Sequence, residues 1–474
     1  MQIARPSFCA PKAIFWTAFG LRLAVILIGH TYKVRVDQQH FNFGFEAGRI
    51  ARSLVTGHGY ANPFNGQSGP TAWLPPLYPL LMALAFKLFG IYTNAAALFL
   101  LTINSLFSAL IAPAIYEIAA RCFDANGIAH RTSKQAAPVA LWSAWLWAAY
   151  PAALQYAIHW IWEMSLTTCL FTWTLVLALR LRKTGEPQQS FSDSTNLGTW
   201  LLFGFLWGLI ALSNASLLLI FPASLLWILW PTSQNIKNLQ QNFEGLHPDP
   251  ELAEGEGSQY FGSRTTLRNN LPGALLACLT FAIILAPWII RNERTLHAFV
   301  PTRSNLGIEL YQSTLDANDG LPWGTTLPLW TGDPEFQRYV RMGEIPYGQL
   351  RGQQAKQRIL ARPGLFLHRT VDRFFFFWDG TPHPIDRHPA QEYLRQLSYC
   401  FLSACGILGL LLMLKRRVPG GLLFASIFLL VPLPYYLVTV QPRFRHPIEP
   451  LIAILGVYLF RSAQTGSSNA SRRA

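Results

Sequence analysis

Residues 41–79 read FNFGFEAGRIARSLVTGHGYANPFNGQSGPTAWLPPLYP. The stretch separates an apolar run at residues 13–31 from a longer one at 94–120. It carries a carboxylate, Glu46, on a short amphipathic piece, then a Gly/Asn-rich turn, then Pro75-Pro76 leading back into apolar sequence. A loop with this much polar detail between two membrane spans is more than a connector. It reads as half of an active site, provided the rest of the chain places it beside other reactive groups.

The composition around it is that of a membrane protein. Of the 474 residues, 51% are hydrophobic and only 13% charged. Soluble domains carry about 25% charged residues. The formal net charge of +14 would raise nucleic acid as a partner for a soluble chain. Here it fits cytoplasmic loops whose Lys and Arg set orientation, and no nucleic-acid-binding signature is present. The six cysteines lie mostly in or beside apolar runs without C-x-x-C spacing, which reads as small core residues with no disulfide framework or metal site. Arg5 and Lys12 precede the first apolar run, but no small-residue cleavage site comes before Arg22 and more spans follow, so the run reads as a span.

The expected fold class is all-α: a polytopic membrane protein of about ten transmembrane helices, both termini inside, with short interfacial helices in the outer loops. Spans are expected near 13–31, 94–120, two in 136–182 broken at Tyr150-Pro151, two in 198–231 turning at Ser213-Asn214, then 271–290, 396–414, 420–438 and 447–461. The apolar run 76–90 is too short to cross, since a span needs ~20 residues. Residues 1–290 form an N-terminal module that holds the catalytic first outer loop (32–93) and a flexible cytoplasmic loop (232–270). Residues 291–392 form an outer loop with helices near 335–342, 347–361 and 364–378, the last bearing FFFFW as an interfacial helix does. Residues 393–474 hold the final spans and a disordered tail. The expected location is the plasma (inner) membrane, with the active site on the periplasmic or extracellular side.

Candidate site residues gather on one face of this topology. Glu46 is in the first outer loop, Glu163 lies near the start of a span, Arg291 and Arg303 begin the second outer loop, and Arg443, Arg445 and His446 crowd the last outer turn. That basic turn breaks the positive-inside rule, which makes it informative. Alternatives stay open for each. Glu46 has Arg49 and Arg52 at helical spacing, Glu163 has His159 four residues earlier, and the two arginines of the turn match headgroup anchors. Tyr78 fits an aromatic belt, His58 a solvated loop, and Arg22, inside the first span, either pairs with protein or meets a phosphate. Two carboxylates with a basic cluster suit a transfer reaction, a carboxylate taking the acceptor's proton and Arg or His stabilising an anionic leaving group. No P-loop, G-x-G-x-x-G, G-x-S-x-G or H-E-x-x-H stands in a supporting context.

The order of short motifs resembles the GT-C superfamily of membrane glycosyltransferases, in particular the glycosyltransferase family 39-like group of protein O-mannosyltransferases and the bacterial lipid A aminoarabinose transferase. The resemblance rests on Ile50-Ala51-Arg52-Ser53-Leu54, Pro75-Pro76-Leu77-Tyr78-Pro79, Leu88-Phe89-Gly90, Ala286-Pro287-Trp288-Ile289-Ile290-Arg291-Asn292, Val300-Pro301-Thr302-Arg303-Ser304-Asn305 and the RFRHPIEP turn. It implies transfer of a sugar from a polyprenyl-phosphate carrier to a lipid, glycan or protein acceptor. Glu46 matches the family's first acidic position, usually Asp, and Glu163 the second. A divalent metal is left open, with no ligand set named. Several relatives have Glu-Lys before the Pro-Pro, where the Lys meets the carrier phosphate. Trp73-Leu74 stands there instead, which shifts the phosphate role to Arg303, Arg443, Arg445 or His446. Competing readings are a flippase or transporter of a lipid-linked glycan, and a non-catalytic binder of one.

Overall fold

The computed structural model describes residues 11–34, 41–123, 138–184, 197–230, 257–316, 331–381 and 389–470. Among these the chain is helical, and its one β-type contact is an isolated bridge between Ala61 and Pro70. Five helices are long and apolar enough to cross a bilayer: α1 (Pro11–Ile28), α4 (Asn94–Phe123), α7 (Met164–Leu181), α10 (Gly257–Leu296, from Asn270) and α15 (Pro389–Lys415, from Glu392). The other expected spans fall on shorter or broken helices: α5 (Pro138–Ala149) with α6 (Pro151–Ile158), α8 (Leu197–Ala211), α9 (Ile220–Leu229), α16 (Gly421–Leu430) with α17 (Leu433–Leu437), and α18 (Glu449–Ala470). Short helices stand beside them. These are α2 (Glu46–Val55), α3 (Leu77–Phe89), α11 (Leu306–Gln312), α12 (Pro334–Met342), α13 (Glu344–Ala361) and α14 (Pro363–Asp379).

The break at Pro151 shows how a polar residue inside a span is tolerated. Proline has no N–H to give, so it frees a carbonyl one turn back. Arg22 of α1 donates to the carbonyls of Trp147 at 3.3 Å and Ala148 at 3.1 Å, and to Ser108 Oγ at 3.1 Å. Of its two sequence readings, pairing within the protein is the one realised. Elsewhere small residues let spans approach closely. A Cβ at Gly204 would come within 2.2 Å of the Ala277 carbonyl oxygen, so α8 and α10 touch backbone to backbone.

Two boundaries differ from expectation. The polar composition predicts a loop to residue 270, but α10 already starts at Gly257, as an apolar span can carry helix into a flanking polar run; residues 232–256 lie outside the described residues. The TGSSNAS run predicts a disordered tail, yet α18 continues to Ala470.

The turns at 159–163 and 212–214, the end of α10 and the 3-10 turn Pro442–Ile448 meet the two long polar segments at one end of the bundle. There the first loop packs against the second. Trp73 and Phe64 bury against Ile308, Phe336, Tyr339 and Tyr347, and Ile50, Tyr60 and Ala72 against Trp288 and Val300. Full burial of such a side chain stabilises by roughly 1.5–3 kcal/mol. These contacts hold the two loops together over the bundle.

Candidate functional site

Glu46 opens α2 directly after two residues of positive φ, Gly44 (φ 74°) and Phe45 (φ 52°). For Phe45 this is a strained conformation that neighbouring packing must enforce. Gly44 has no such penalty, and a Cβ there would meet the Ile161 carbonyl oxygen at 2.7 Å. The sharp turn therefore presses the start of α2 onto the 159–163 turn, which brings Glu46 towards Glu163. Arg49, one turn further on, lies with its guanidinium 4.5 Å from the Phe45 ring centroid and donates to the Pro63 carbonyl. Glu163 immediately precedes α7.

Arg443 enters from the 3-10 turn. Its guanidinium stacks on Trp162 at 3.7 Å, beside Glu163. Its Nε is buried without a hydrogen-bond partner among the described residues. Burial holds the Arg443 guanidinium below its ordinary pKa, and the charges of Glu163, Glu46 and Glu309 oppose that shift. Burial likewise raises the Glu46 carboxyl above its ordinary value, while Arg49 and Arg443 pull it down and Glu309 adds to the rise. Glu309, on α11, lies 3.9 Å from Arg303 and accepts from Asn305 at 3.0 Å and Thr439 at 3.4 Å. The Arg303 Nε is a second buried donor atom without a partner among the described residues. Three carboxylates (Glu46, Glu163, Glu309) thus share a polar space with Arg49, Arg303 and Arg443.

The other sequence candidates sit apart from this group. Arg445 pairs with Glu449 at 3.1 Å and donates to Ser403 and the Trp378 and Tyr399 carbonyls; it is fully buried between helices. His446 lies between the Trp147 and Tyr156 rings, 3.9 Å from Glu449. The odd spacing of the RFRH turn sends Arg443 one way and Arg445-His446 the other. Arg291 donates to the Tyr60 and Thr71 carbonyls, each at 2.6 Å, and so staples the first loop to α10. Tyr78 exchanges hydrogen bonds with Asn104, which also holds the Trp160 carbonyl at 3.0 Å; Tyr78 positions the turn before Glu163. Trp73 is buried in the loop–loop cluster, stacked edge-on against Phe64.

Two functional-grade residues escaped the sequence reading. Glu309 sits in the unpatterned second loop, one turn after the Val300–Asn305 motif. Glu344, the first residue of α13, is 4% exposed and accepts four hydrogen bonds: from the Ala72 N–H (2.6 Å), Ser304 Oγ (2.6 Å), Tyr339 (2.7 Å) and Thr71 Oγ1. Only Gly343-Glu344, an acid at a helix start, signalled it. Among the described residues, no three His, Cys, Asp or Glu side chains converge as metal ligands.

The fold defines a class, a polytopic helical membrane protein. No family model and no curated protein matches the chain. Among solved structures it is similar to the Archaeoglobus fulgidus oligosaccharyltransferase in the apo form, with 13% identity, TM-score 0.51, and coverage of 97% of this chain and 52% of that one. The same protein tethered with an acceptor peptide containing the NVT sequon aligns with 14% identity, 94% and 49% coverage and TM-score 0.50. ArnT from Cupriavidus metallidurans bound to undecaprenyl phosphate aligns at TM-score 0.36, with 13% identity and coverage of 95% and 79%, too loosely to carry an argument. The chain spans about half the length of the oligosaccharyltransferase. At these identities the likeness concerns the fold.

Proposed function

We propose that this protein is a membrane glycosyltransferase that moves a sugar from a polyprenyl-phosphate-linked donor to an acceptor hydroxyl. The observation that carries this reading is that the 159–163 turn gathers both groups: the start of α2, with Glu46, presses on the Ile161 carbonyl, and Arg443 stacks on Trp162 with an unused buried donor atom. The GT-C-type fold supports it.

In the proposed step Glu46 accepts the acceptor's O–H proton as the oxygen attacks the anomeric carbon. The bond from that carbon to the phosphate oxygen breaks, and the polyprenyl phosphate leaves with the electron pair. Arg443, with Arg303, meets the phosphate charge that grows as the bond breaks, the place where fixed donors accelerate most. A raised carboxyl pKa makes Glu46 a stronger base than a solvated glutamate, provided it is ionised. Glu163 and Glu309 counter the arginine charge before donor binding and orient Arg443 and Arg303. Arg445, His446, Arg291 and Tyr78 are assigned supporting rather than substrate-binding roles. The active centre is proposed to face the periplasmic or extracellular side of the inner membrane, because that is the end where the first and second loops gather under the positive-inside reading.

The test incubates purified protein in lipid nanodiscs with polyprenyl-phosphate sugars and follows sugar transfer or donor hydrolysis. Wild type should release polyprenyl phosphate, and Glu46→Gln should not. Donor binding without release in either protein would favour a flippase or a binder and sink the enzyme reading.

A further inference from the structure

Phe444 stands next to Arg443 in the 3-10 turn Pro442–Ile448. Its ring stacks on Tyr435 of α17, with centroids 4.4 Å apart and planes inclined by 11°. The Arg443 guanidinium lies 3.7 Å from the Trp162 ring centroid on one side and 5.2 Å from that of Phe444 on the other. Tyr435 in turn stacks with Phe377 of α14 at 6.1 Å. Trp162, Arg443, Phe444, Tyr435 and Phe377 thus form one connected row. Tyr435 is buried in it, and it ties Arg443 to helices that carry no part of the proposed chemistry.

The hydroxyl end of Tyr435 meets the side chains of Ser216 and Asn214, in the turn between α8 and α9. That turn is tightly built. Asn214 Oδ1 accepts the Ser216 N–H at 3.0 Å, and the Asn214 N–H donates to the Ile210 carbonyl at 2.7 Å. Two other elements of the centre register on the same turn. Ser213 Oγ and Thr167 Oγ1 share a hydrogen bond of 2.6 Å, and Thr167 lies one turn after Glu163, donating its N–H to the Glu163 carbonyl at 2.8 Å. The Leu212 carbonyl accepts the Leu77 N–H at 2.9 Å, at the start of α3, where the first loop returns. One uncharged turn therefore holds Glu163 through α7, the first loop through α3, and Tyr435 by its hydroxyl.

The backbone after Tyr435 is pinned as well. Arg373 of α14 is fully buried and donates to the Tyr436 carbonyl at 2.8 Å and the Val438 carbonyl at 2.9 Å. Carbonyls at a helix end have no partner within the helix and need such donors. Arg443 is held differently. Its Nε has no hydrogen-bond partner among the described residues, and rings flank its guanidinium. A guanidinium held by ring faces keeps N–H donors for a ligand, and it is aimed only as well as the rings are.

We propose that Tyr435 is a positioning residue for the transfer: its ring holds Phe444, and through it Arg443, in register with Glu163, with the Ser213–Ser216 turn as the common anchor. This rests on the reading of Arg443 as the group that meets the leaving phosphate. A misplacement of about 1 Å at such a group costs on the order of 100-fold in rate, so a residue outside the chemistry governs turnover. Donor affinity depends less on the same contact, because the phosphate charge that Arg443 meets grows only as the bond breaks. Tyr435 variants should therefore lower kcat more than they raise KM.

The test uses the full chain in nanodiscs, with turnover of a polyprenyl-phosphate sugar and, separately, fluorine NMR of protein carrying fluorotryptophan. The Trp162 signal is identified by its loss in Trp162→Phe and should move in Arg443→Gln. It should move likewise in Tyr435→Leu, which removes the stack, and by less in Tyr435→Phe, which removes only the hydroxyl. Tyr436→Phe, the same change one residue on, loses a hydroxyl that accepts from Trp378 and should leave the signal in place. In the turnover assay Tyr435→Leu should lower kcat roughly 10- to 100-fold with KM little changed, and should cost nothing further when Arg443 is already Gln. Core packing alone would lower the unfolding temperature and add its loss to that of Arg443→Gln. A Trp162 signal unmoved in Tyr435→Leu, or additive losses, overturns the proposal. Should the leucine variant not fold, the same two readings on Tyr435→Phe decide it. If the Trp162 signal responds as expected and wild type transfers no sugar, the placement of Arg443 by Tyr435 is upheld and the glycosyltransferase reading alone fails.

Discussion

Replacing Glu344 should separate the two long loops. One carboxylate oxygen accepts the Ala72 N–H and Ser304 Oγ, and the other accepts Tyr339 and Thr71 Oγ1. Ala72 and Thr71 belong to the first loop, Ser304, Tyr339 and Glu344 to the second. Three of the donors are hydroxyls that can turn to new partners. The Ala72 N–H cannot turn. In Glu344→Gln the amide oxygen can keep Ala72 and Ser304, while the amide nitrogen donates to the two remaining hydroxyls. What is lost is the charge on the bonds, and the cost should be roughly 1.5–3 kcal/mol. Glu344→Ala removes every acceptor, strands the Ala72 N–H and leaves a void beside Tyr339, so the cost should be roughly 3–5 kcal/mol. Unfolding in mixed micelles, followed by tryptophan emission, reads the difference directly, since Trp73 lies next to the clamp in the chain. If alanine costs less than about 1 kcal/mol, or no more than glutamine, the carboxylate is not what joins the loops.

Four further outcomes are expected. Glu46→Gln should lower sugar transfer by about 10²–10⁴-fold; in wild type kcat/KM should fall as pH drops through a pKa above the ordinary 4.5 of a glutamate, and an unchanged acid limb in the variant would assign that limb to another group. The same substitution should raise the unfolding temperature at neutral pH. A carboxyl whose folded pKa is raised binds more protons folded than unfolded, so stability falls as pH climbs from the unfolded to the folded value, and a variant without that titration escapes the loss. Arg443→Gln should reduce turnover by about 10²–10³-fold with Arg445 packing undisturbed; single-turnover kinetics with a polyprenyl-phosphate donor checks this, and full activity would remove Arg443 from the leaving-group site. Gly204→Ala should destabilise by about 1–3 kcal/mol through overpacking against Ala277, measured by the same micelle titration; a neutral result would mean α8 and α10 separate freely.

Sequence by itself determined the fold class and the location of the polar detail. Runs of apolar residues, broken by Pro151 and Ser213-Asn214 and bounded by Lys and Arg, are a statement about lipid solvation, and that physics is local. It also drew Glu46, Glu163 and Arg443 as candidates, because polar groups in apolar surroundings are costly wherever the chain puts them. Only the tertiary structure divided the RFRH turn, sending Arg443 to Trp162 and Glu163 and burying Arg445 and His446 against Glu449. A 3-10 turn rotates successive side chains by about a third of a circle, and which direction faces the cavity depends on helices far away in sequence. The same holds for Glu309 and Glu344. Nothing in a polar loop marks a carboxylate as partnered, since its partners come from elsewhere in the chain: Thr439 for the half-buried Glu309, Ala72 and Ser304 for the buried Glu344. Periodicity records how a segment meets solvent or lipid, whereas a site is made by long-range contacts that bring separate segments to one point.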